Sequence, residues 1–152
     1  MNLIHQLDAI RALLDHEAGK VHADMAPSAI APEVEDVVTV VVRFGPVIAT
    51  PLGGASVPGG GGQQLRVWGE AGLAQALPEY SISTRQQPPG PRQVAAGDPR
   101  ALAIGRSAAS VHQGTPVDVD VHDAFAVQAI IEAAYESARL GRAISPAREG
   151  PR

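Results

Sequence analysis

The stretch Val34-Glu35-Asp36-Val37-Val38-Thr39-Val40-Val41-Val42-Arg43-Phe44 decides the fold. β-Branched residues dominate it, and such residues favour the pleated backbone of a strand. Because side chains alternate along a strand, one face carries Val38, Val40, Val42 and Phe44, and the other carries Val37, Thr39, Val41 and Arg43. Both faces are largely apolar. We therefore expect one face to pack against helices and the other against a second copy, which gives a homo-oligomer through the sheet face.

Shorter strands and loops flank this central strand. The alternation of Lys20 to Ala26 predicts a strand before it, and Gly45-Pro46 predicts a tight turn into a hairpin partner over Val47 to Leu52. Gly53 to Gly62 then indicates a glycine-rich loop, and the proline-rich segment from Arg85 to Asp98 indicates an exposed loop or a mobile flap. Three further strands between these loops predict an antiparallel meander: Gln64 to Gly69, Leu73 to Ala76, and Tyr80 to Thr84.

Three helices complete the pattern. Apolar residues at helical spacing predict the first over Leu3 to Leu14, ending near Gly19, and Asp98-Pro99 opens the second, which runs to about His112. Asp120 and Asp123 predict a capping box for the third, which ends at Gly141. Strands segregated from helices indicate an α+β fold with an open, mainly antiparallel sheet and helices on one face. We expect one domain over residues 1–145 and a disordered tail over 146–152.

Composition excludes several classes of function. The 152 residues carry a net charge of −4, and the eleven arginines and single lysine are scattered, which argues against a nucleic-acid partner. No apolar stretch is long enough for a membrane span. Without cysteine there is no disulfide or thiolate site, which suits a cytoplasmic protein.

His5 and Asp8 form the most suggestive pair of polar residues. Three residues apart on the first helix, they share a face opposite its apolar stripe, so the carboxylate could orient the imidazole as an acid or base. The alternative is a solvated helix face with an incidental pair.

No metal-binding or cofactor-binding motif is found. His16, His22, His112 and His122 lack the spacing of metal ligands. Gly54-Ala55-Ser56-Val57-Pro58 departs from a nucleophile elbow at Pro58, and the run Gly59 to Gly62 precedes a strand, whereas a phosphate-binding loop precedes a helix.

Four segments together resemble the catalytic half of the Gfo/Idh/MocA oxidoreductases. Asn2-Leu3-Ile4-His5-Gln6-Leu7-Asp8 with Arg11 resembles the family's "NLIHxxDxxRxL" helix, and Val34-Glu35-Asp36-Val37 its "ED" strand start. Trp68-Gly69-Glu70-Ala71-Gly72 is similar to its "GxxG" turn. The segment from Ala133 to Arg142 is similar to its "AxYxSAxxGR" helix. The segments keep the family's order and spacing over roughly residues 2–145.

The resemblance implies an α+β domain that acts with a Rossmann domain on a sugar- or cyclitol-like hydroxyl or carbonyl. It makes His5 the catalytic histidine and places Asn2 and His5 at the substrate. NAD or NADP is implied for the full-length family, but the glycine-rich dinucleotide fingerprint and the "EKP" lysine have no counterpart here. The family's first catalytic-sheet strand is expected before residue 1.

Three interpretations therefore remain open. The chain is a truncated or split oxidoreductase whose Rossmann domain is a separate chain or is missing, and it is inactive alone. Otherwise it is a freestanding substrate-binding or oligomerisation module, or an unrelated small α+β binding protein.

The first prediction follows from the missing dinucleotide motif. The isolated chain should not bind NADH or NADPH, because no predicted element holds a pyrophosphate. Calorimetric titration measures this directly, and micromolar binding of either cofactor would contradict it.

Overall fold

A computed structural model describes residues 3–28, 35–54, 64–76, 81–84, 86, 88, 90–91 and 97–148. The chain divides into two compact units: Met1–Ser56 with Gly114–Arg152, and Val57–Gln113. The elements in chain order are α1 (Ile4–Leu14), β1 (Ala18–Pro27), β2 (Glu35–Phe44), β3 (Val47–Ala49), β4 (Leu52–Gly54), β5 (Leu65–Gly69), β6 (Gly72–Ala76), β7 (Ser81–Thr84), β8 (Gly90–Pro91), α2 (Pro99–Gln113) and α3 (Val121–Leu140). The α+β class is confirmed. All pairs between these strands are antiparallel, and the strands form two sheets of four.

The first unit is built on β2, which pairs with β1 on one side and with β3 and β4 on the other. The prediction of one hairpin strand over Val47 to Leu52 is wrong, because the partner is interrupted. The chain leaves the ladder after Ala49, and the Val40 N–H is satisfied by the carbonyl of Pro51 at 3.0 Å. Gly53 and Gly54 belong to β4, whereas the rest of the predicted glycine loop, 55–62, lies outside the described residues.

The core of this unit lies between the sheet and two helices. The predicted inward face of β2 is confirmed, since Val38, Val40, Val42 and Phe44 are at most 3% exposed. Helix α3 packs on β1 and contacts α1. The predicted apolar stripe of α3 is buried at Val127, Ile131 and Ala134, and half-buried at Ala138. This shared burial fixes both helices to the sheet.

Helix α1 ends earlier than its sequence suggests. The predicted cap at Gly19 is wrong: Gly19 lies inside β1, and Asp15 closes the helix in the left-handed region at φ 49°. Its N–H donates to the Arg11 carbonyl at 3.0 Å. Aspartate tolerates this conformation better than most residues, so the short Asp15–Glu17 connection leaves β1 free to start pairing at Ala18.

The second unit contains the predicted meander, with β5 to β8 in sequential order. Gly72 closes the β5–β6 hairpin at φ 154°, and a Cβ there would lie 1.9 Å from the Ser83 carbonyl oxygen. This close approach requires glycine. The segment from Arg85 to Asp98 is not entirely loop as predicted, because Gly90 and Pro91 pair with β7.

Helix α2 agrees closely with its predicted bounds. Asp98 Oδ1 accepts a hydrogen bond from the Arg100 backbone N–H at 2.9 Å, which confirms the predicted N-cap. No residue of α2 is buried. None of the described helices is long and apolar enough to cross a membrane.

Two leucines of α1 allow a matched test of this core. Leu7 is fully buried, whereas Leu13 is 58% exposed on the same helix. Leu7→Ala should lower the free energy of unfolding by about 2–5 kcal/mol through lost burial and a residual cavity. Leu13→Ala should change it by less than about 0.5 kcal/mol. Urea denaturation measures both, and equal losses would contradict this packing of α1.

Candidate functional site

His5 lies in the first turn of α1, and its side chain is exposed. On the helical wheel it is opposite Leu3, Leu7 and Leu14, as the sequence predicts. The other residue assigned to the substrate, Asn2, lies outside the described residues. An exposed imidazole on a helix packed against a core can meet a ligand without rearrangement of the backbone.

The row His5, Asp8 and Arg11 turns gradually toward the core. Each step of three residues rotates about 60° backwards around the helix, so exposure falls along the row. His5 is exposed, Asp8 is half-buried, and the Arg11 side chain is 17% exposed. No hydrogen bond joins His5 to Asp8 in the part of the chain that the structure describes. The orienting carboxylate of the sequence hypothesis therefore does not contact His5 in this conformation.

Arg11 makes the polar contacts that hold this helix in place. Its Nη1 donates to Asp123 Oδ1 at 2.5 Å. Its Nη2 donates to Glu17 Oε1 at 2.5 Å. Its Nε donates to both carboxylate oxygens of Glu17 at 3.1 Å. These hydrogen bonds raise the pKa of Arg11 above its ordinary value, and those to Glu17 contribute most. One cation thus joins α1 to the segment before β1 and to the start of α3.

Asp123 is itself part of the cap of α3. Its Oδ2 accepts the Asp120 backbone N–H at 2.8 Å, and Asp120 Oδ1 accepts the N–H groups of His122 and Asp123 at 2.7 and 3.1 Å. The predicted capping box is confirmed. The hydrogen bond from the Asp120 N–H, followed by that from Arg11, lowers the pKa of Asp123. The carboxylate is therefore held in its charged form.

The N-terminal end of α1 is fixed by a different contact. Leu3, immediately before the helix, is 1% exposed, and its Cδ2 would lie 2.7 Å from a Cβ on Gly53. Glycine in β4 thus leaves room for Leu3. Because His5 is two residues away, this packing also fixes the position of its backbone.

The other family-like motifs supply structural links. Tyr135 donates its hydroxyl to Glu35 Oε1 at 2.9 Å, joining α3 to the start of β2. Burial, with a smaller contribution from Glu35, raises the pKa of Tyr135 to about 12, so the phenol stays a donor. Fully buried Ser137 accepts the Ala23 N–H at 3.0 Å and donates to the Arg142 carbonyl at 2.7 Å. These residues hold α3 and β1 together.

The remaining histidines do not form a site in the described ranges. His16 Nδ1 donates to the Asp15 carbonyl at 2.6 Å, and His22 Nδ1 lies 3.4 Å from Ser137 Oγ. His112 and His122 lie on different helices. No cluster of three or more His, Asp or Glu residues suited to a metal occurs among the described residues.

The N-termini of α2 and α3 do not fit a dinucleotide. Pyrophosphate binding needs free backbone N–H groups and usually glycine in the preceding loop. Asp98 and Asp120 already occupy the first N–H groups of α2 and α3. The side chains of Asp98 and Asp120 therefore compete with a pyrophosphate at these two helix N-termini.

The chain is similar to a known domain family and to several solved structures. The GFO/IDH/MocA C-terminal domain family matches residues 2–75. No curated protein sequence matches the chain. An aldose-aldose oxidoreductase from Caulobacter crescentus, solved with glycerol, superimposes with a TM-score of 0.83 at 24% identity, over 93% of this chain and 45% of that one.

Two further solved structures share the fold. A UDP-N-acetylglucosamine 3-dehydrogenase from Acidithiobacillus ferrooxidans has a TM-score of 0.80 at 17% identity, over 92% of this chain and 47% of its own. An oxidoreductase from Agrobacterium radiobacter, solved with NAD+, L-tartaric acid and magnesium, has a TM-score of 0.77 at 19% identity, over 93% and 47%. The chain spans about half the length of these proteins.

The Arg11–Asp123 contact predicts a pH-dependent contribution to stability. The folded-state pKa of Asp123 lies below the unfolded value of about 3.9, so its contribution is present above about pH 4 and is lost as pH falls through the folded-state pKa. Asp123→Asn should cost about 1 kcal/mol at pH 7 and less at pH 3.

Asp8→Asn is the matched control, because Asp8 has no hydrogen-bond partner among the described residues. It should change stability by less than about 0.5 kcal/mol at both pH values. Denaturant unfolding at pH 7 and pH 3 compares the variants. A cost of Asp123→Asn that does not fall with pH would refute the ionic contribution.

Proposed function

We propose that the chain, whose residues 2–75 match the GFO/IDH/MocA C-terminal domain family, is the catalytic and substrate-binding half of an oxidoreductase. Its substrate is a sugar- or cyclitol-like molecule with a reacting hydroxyl or carbonyl group. The observation that carries this proposal is the exposed His5 on a helix whose opposite side is fixed by Leu3, Leu7 and Arg11.

In this proposal His5 exchanges a proton with the reacting oxygen of the substrate. An imidazole suits this role because histidine commonly acts as both acid and base in proton transfer. Asn2 would hydrogen-bond the substrate beside it. The buried contacts of α1 fix the backbone of His5, which limits the reorganisation needed before proton transfer to the motion of its side chain.

The hydride acceptor has to come from outside the described residues. The fold family implies NAD or NADP, and the N-termini of α2 and α3 do not fit a dinucleotide. We therefore propose a Rossmann domain as partner, whether joined to this chain or separate, and expect no turnover by residues 1–152 alone.

The solved relatives support the substrate class. Two of them carry names that specify sugars, an aldose and UDP-N-acetylglucosamine, and one was solved with NAD+. The chain matches slightly less than half of each, which agrees with a second domain completing the enzyme.

The test is a fusion of this chain to the part of the Caulobacter crescentus protein that lies outside the match. Reduction of NAD+ or NADP+ is followed with a panel of aldoses and cyclitols. The fusion should turn over at least one of them, and His5→Ala should lower kcat by about 10²–10⁴-fold because a proton-transfer group is lost. The isolated chain should remain inactive.

His122→Gln provides the control, since His122 is an exposed histidine on α3 with no role in the proposal. It should leave turnover within about twofold of the parent fusion. An active fusion that keeps full turnover after His5→Ala would show that His5 is not the acid or base.

A freestanding binding or oligomerisation module is the second candidate. It is favoured by the apolar residues that the sheet of the first unit exposes, among them Ile48 and Leu52. A fusion that binds a sugar or self-associates without oxidising any substrate would support it.

A further inference from the structure

Helix α1 is held in place by apolar contacts and by charged ones. Leu3, just before the helix, and Leu7, in its middle, are buried in the core. Arg11 lies in the last turn and binds Asp123 of α3. Burial of apolar side chains has no preferred direction, whereas hydrogen bonds between charged groups are short and directed. Arg11 is therefore the contact that can fix how far α1 is rotated about its own axis.

The two carboxylates bound by Arg11 constrain α1 to different degrees. Glu17 lies only six residues further along the chain, in the connection that continues the end of α1, and its side chain is 68% exposed. Asp123 belongs to another helix, and its second carboxylate oxygen is held by the Asp120 backbone N–H at 2.8 Å. The bond from Arg11 Nη1 to Asp123 Oδ1 therefore sets the position of α1 relative to α3.

Rotation of α1 acts directly on the side chain of His5. The end of a helical side chain lies about 5–6 Å from the helix axis, so a rotation of about 10° moves it by about 1 Å. The His5 side chain is exposed, and no described residue forms a hydrogen bond with it. The direction in which the imidazole leaves the helix therefore follows the rotation of α1.

We infer that Arg11 is the positioning residue of His5. By binding Asp123 it fixes the rotation of α1, and so the direction from which the imidazole meets the substrate. The inference rests on the proposed function of His5 as acid or base. Displacement of a reacting group by about 1 Å can lower a rate by about 10²-fold. Arg11 itself makes no contact with the substrate, so its effect on the rate passes through His5.

Arginine suits this role better than lysine. The guanidinium is planar and rigid, so it can hold two carboxylates at once in fixed directions. Arg11 binds Glu17 through Nε and Nη2 and Asp123 through Nη1. The ammonium of a lysine carries the same charge as a single point on a flexible chain, and it fixes the helix less well.

The fusion protein described above separates positioning from support of the fold. Arg11→Gln should lower kcat by about tenfold and change KM less, because the substrate still binds while the imidazole is displaced. In the His5→Ala fusion, Arg11→Gln should have no further effect on kcat, since the group that it positions is absent. A general loss of folded protein would instead lower turnover equally in both backgrounds.

Glu17→Gln is the matched control, since it removes one partner of the same guanidinium and leaves Asp123 bonded. It should keep kcat within about twofold of the parent fusion, because an exposed ion pair contributes little. Arg11→Lys keeps the charge without the fork and should lower kcat by about threefold. It takes the place of Arg11→Gln in the same comparison if that variant does not fold, and circular dichroism verifies folding.

A second measurement on the 152-residue chain needs no turnover. The sequence contains no cysteine, so spin labels can be attached only where cysteine is introduced, at His5→Cys on α1 and Glu136→Cys on α3. Electron paramagnetic resonance then gives the distribution of distances between the two helices. The labelled chain should show one narrow distribution, Arg11→Gln should broaden it, and Glu17→Gln should leave it unchanged.

Two results would overturn the inference and leave the proposed function intact. One is an equal loss of kcat from Arg11→Gln with and without His5, and the other is a distance distribution that Arg11→Gln does not change. A fusion that keeps full turnover after His5→Ala would instead refute the role of His5, and the role of Arg11 with it.

Discussion

The first unit depends on burial of one side of β2. Val40, Val42 and Phe44 are fully buried between the sheet and the helices, and each contributes roughly 1.5–3 kcal/mol by its removal from water. Because β1 and the pair β3 and β4 are aligned on β2, its register also sets which side chains of those strands face inward. The positions of α1 and α3 follow from this face.

Polar contacts then select one arrangement of the two helices. At the start of α3, Arg11 and the Asp120–Asp123 cap tie the helix to α1. Near its end, Ser137 binds the edge of β1, and Ile144 pairs with Val21 through two hydrogen bonds of 2.8 Å. This pairing also covers part of the β1 edge, which would otherwise offer unpaired backbone groups. The result is a helix α1 with little freedom to shift.

Much of this arrangement can be read from local sequence signals. The alternation in β2, the capping box of α3 and the glycine at position 141 each depend on neighbours within a few residues, and all are confirmed. The left-handed cap at Asp15 is harder to predict, because Gly19 is the more usual residue for that role. The break between β3 and β4 is also hard to predict, because it depends on the hydrogen bond from the Val40 N–H of β2 to the Pro51 carbonyl.

The candidate site is less predictable because its contacts are long-range. The exposed position of His5 follows from helical periodicity, but Asp123, one of the two partners of Arg11, lies 112 residues away from it in sequence. Spacing alone suggested that Asp8 orients His5, whereas helix geometry turns Asp8 away from it toward the buried side. The motif residues Arg11, Tyr135 and Ser137 could be recognised in the sequence, and only the structure shows that they hold elements together.

The central claim is that His5 transfers a proton to or from a substrate bound beside α1. Chemical rescue addresses it directly: imidazole is added to the His5→Ala fusion, and turnover is measured as a function of imidazole concentration and pH. If His5 acts as acid or base, imidazole should raise turnover by at least about tenfold, with a rate that follows the neutral form of imidazole in the direction in which the substrate loses a proton. No increase, or an equal increase in the His122→Gln fusion, would contradict the account.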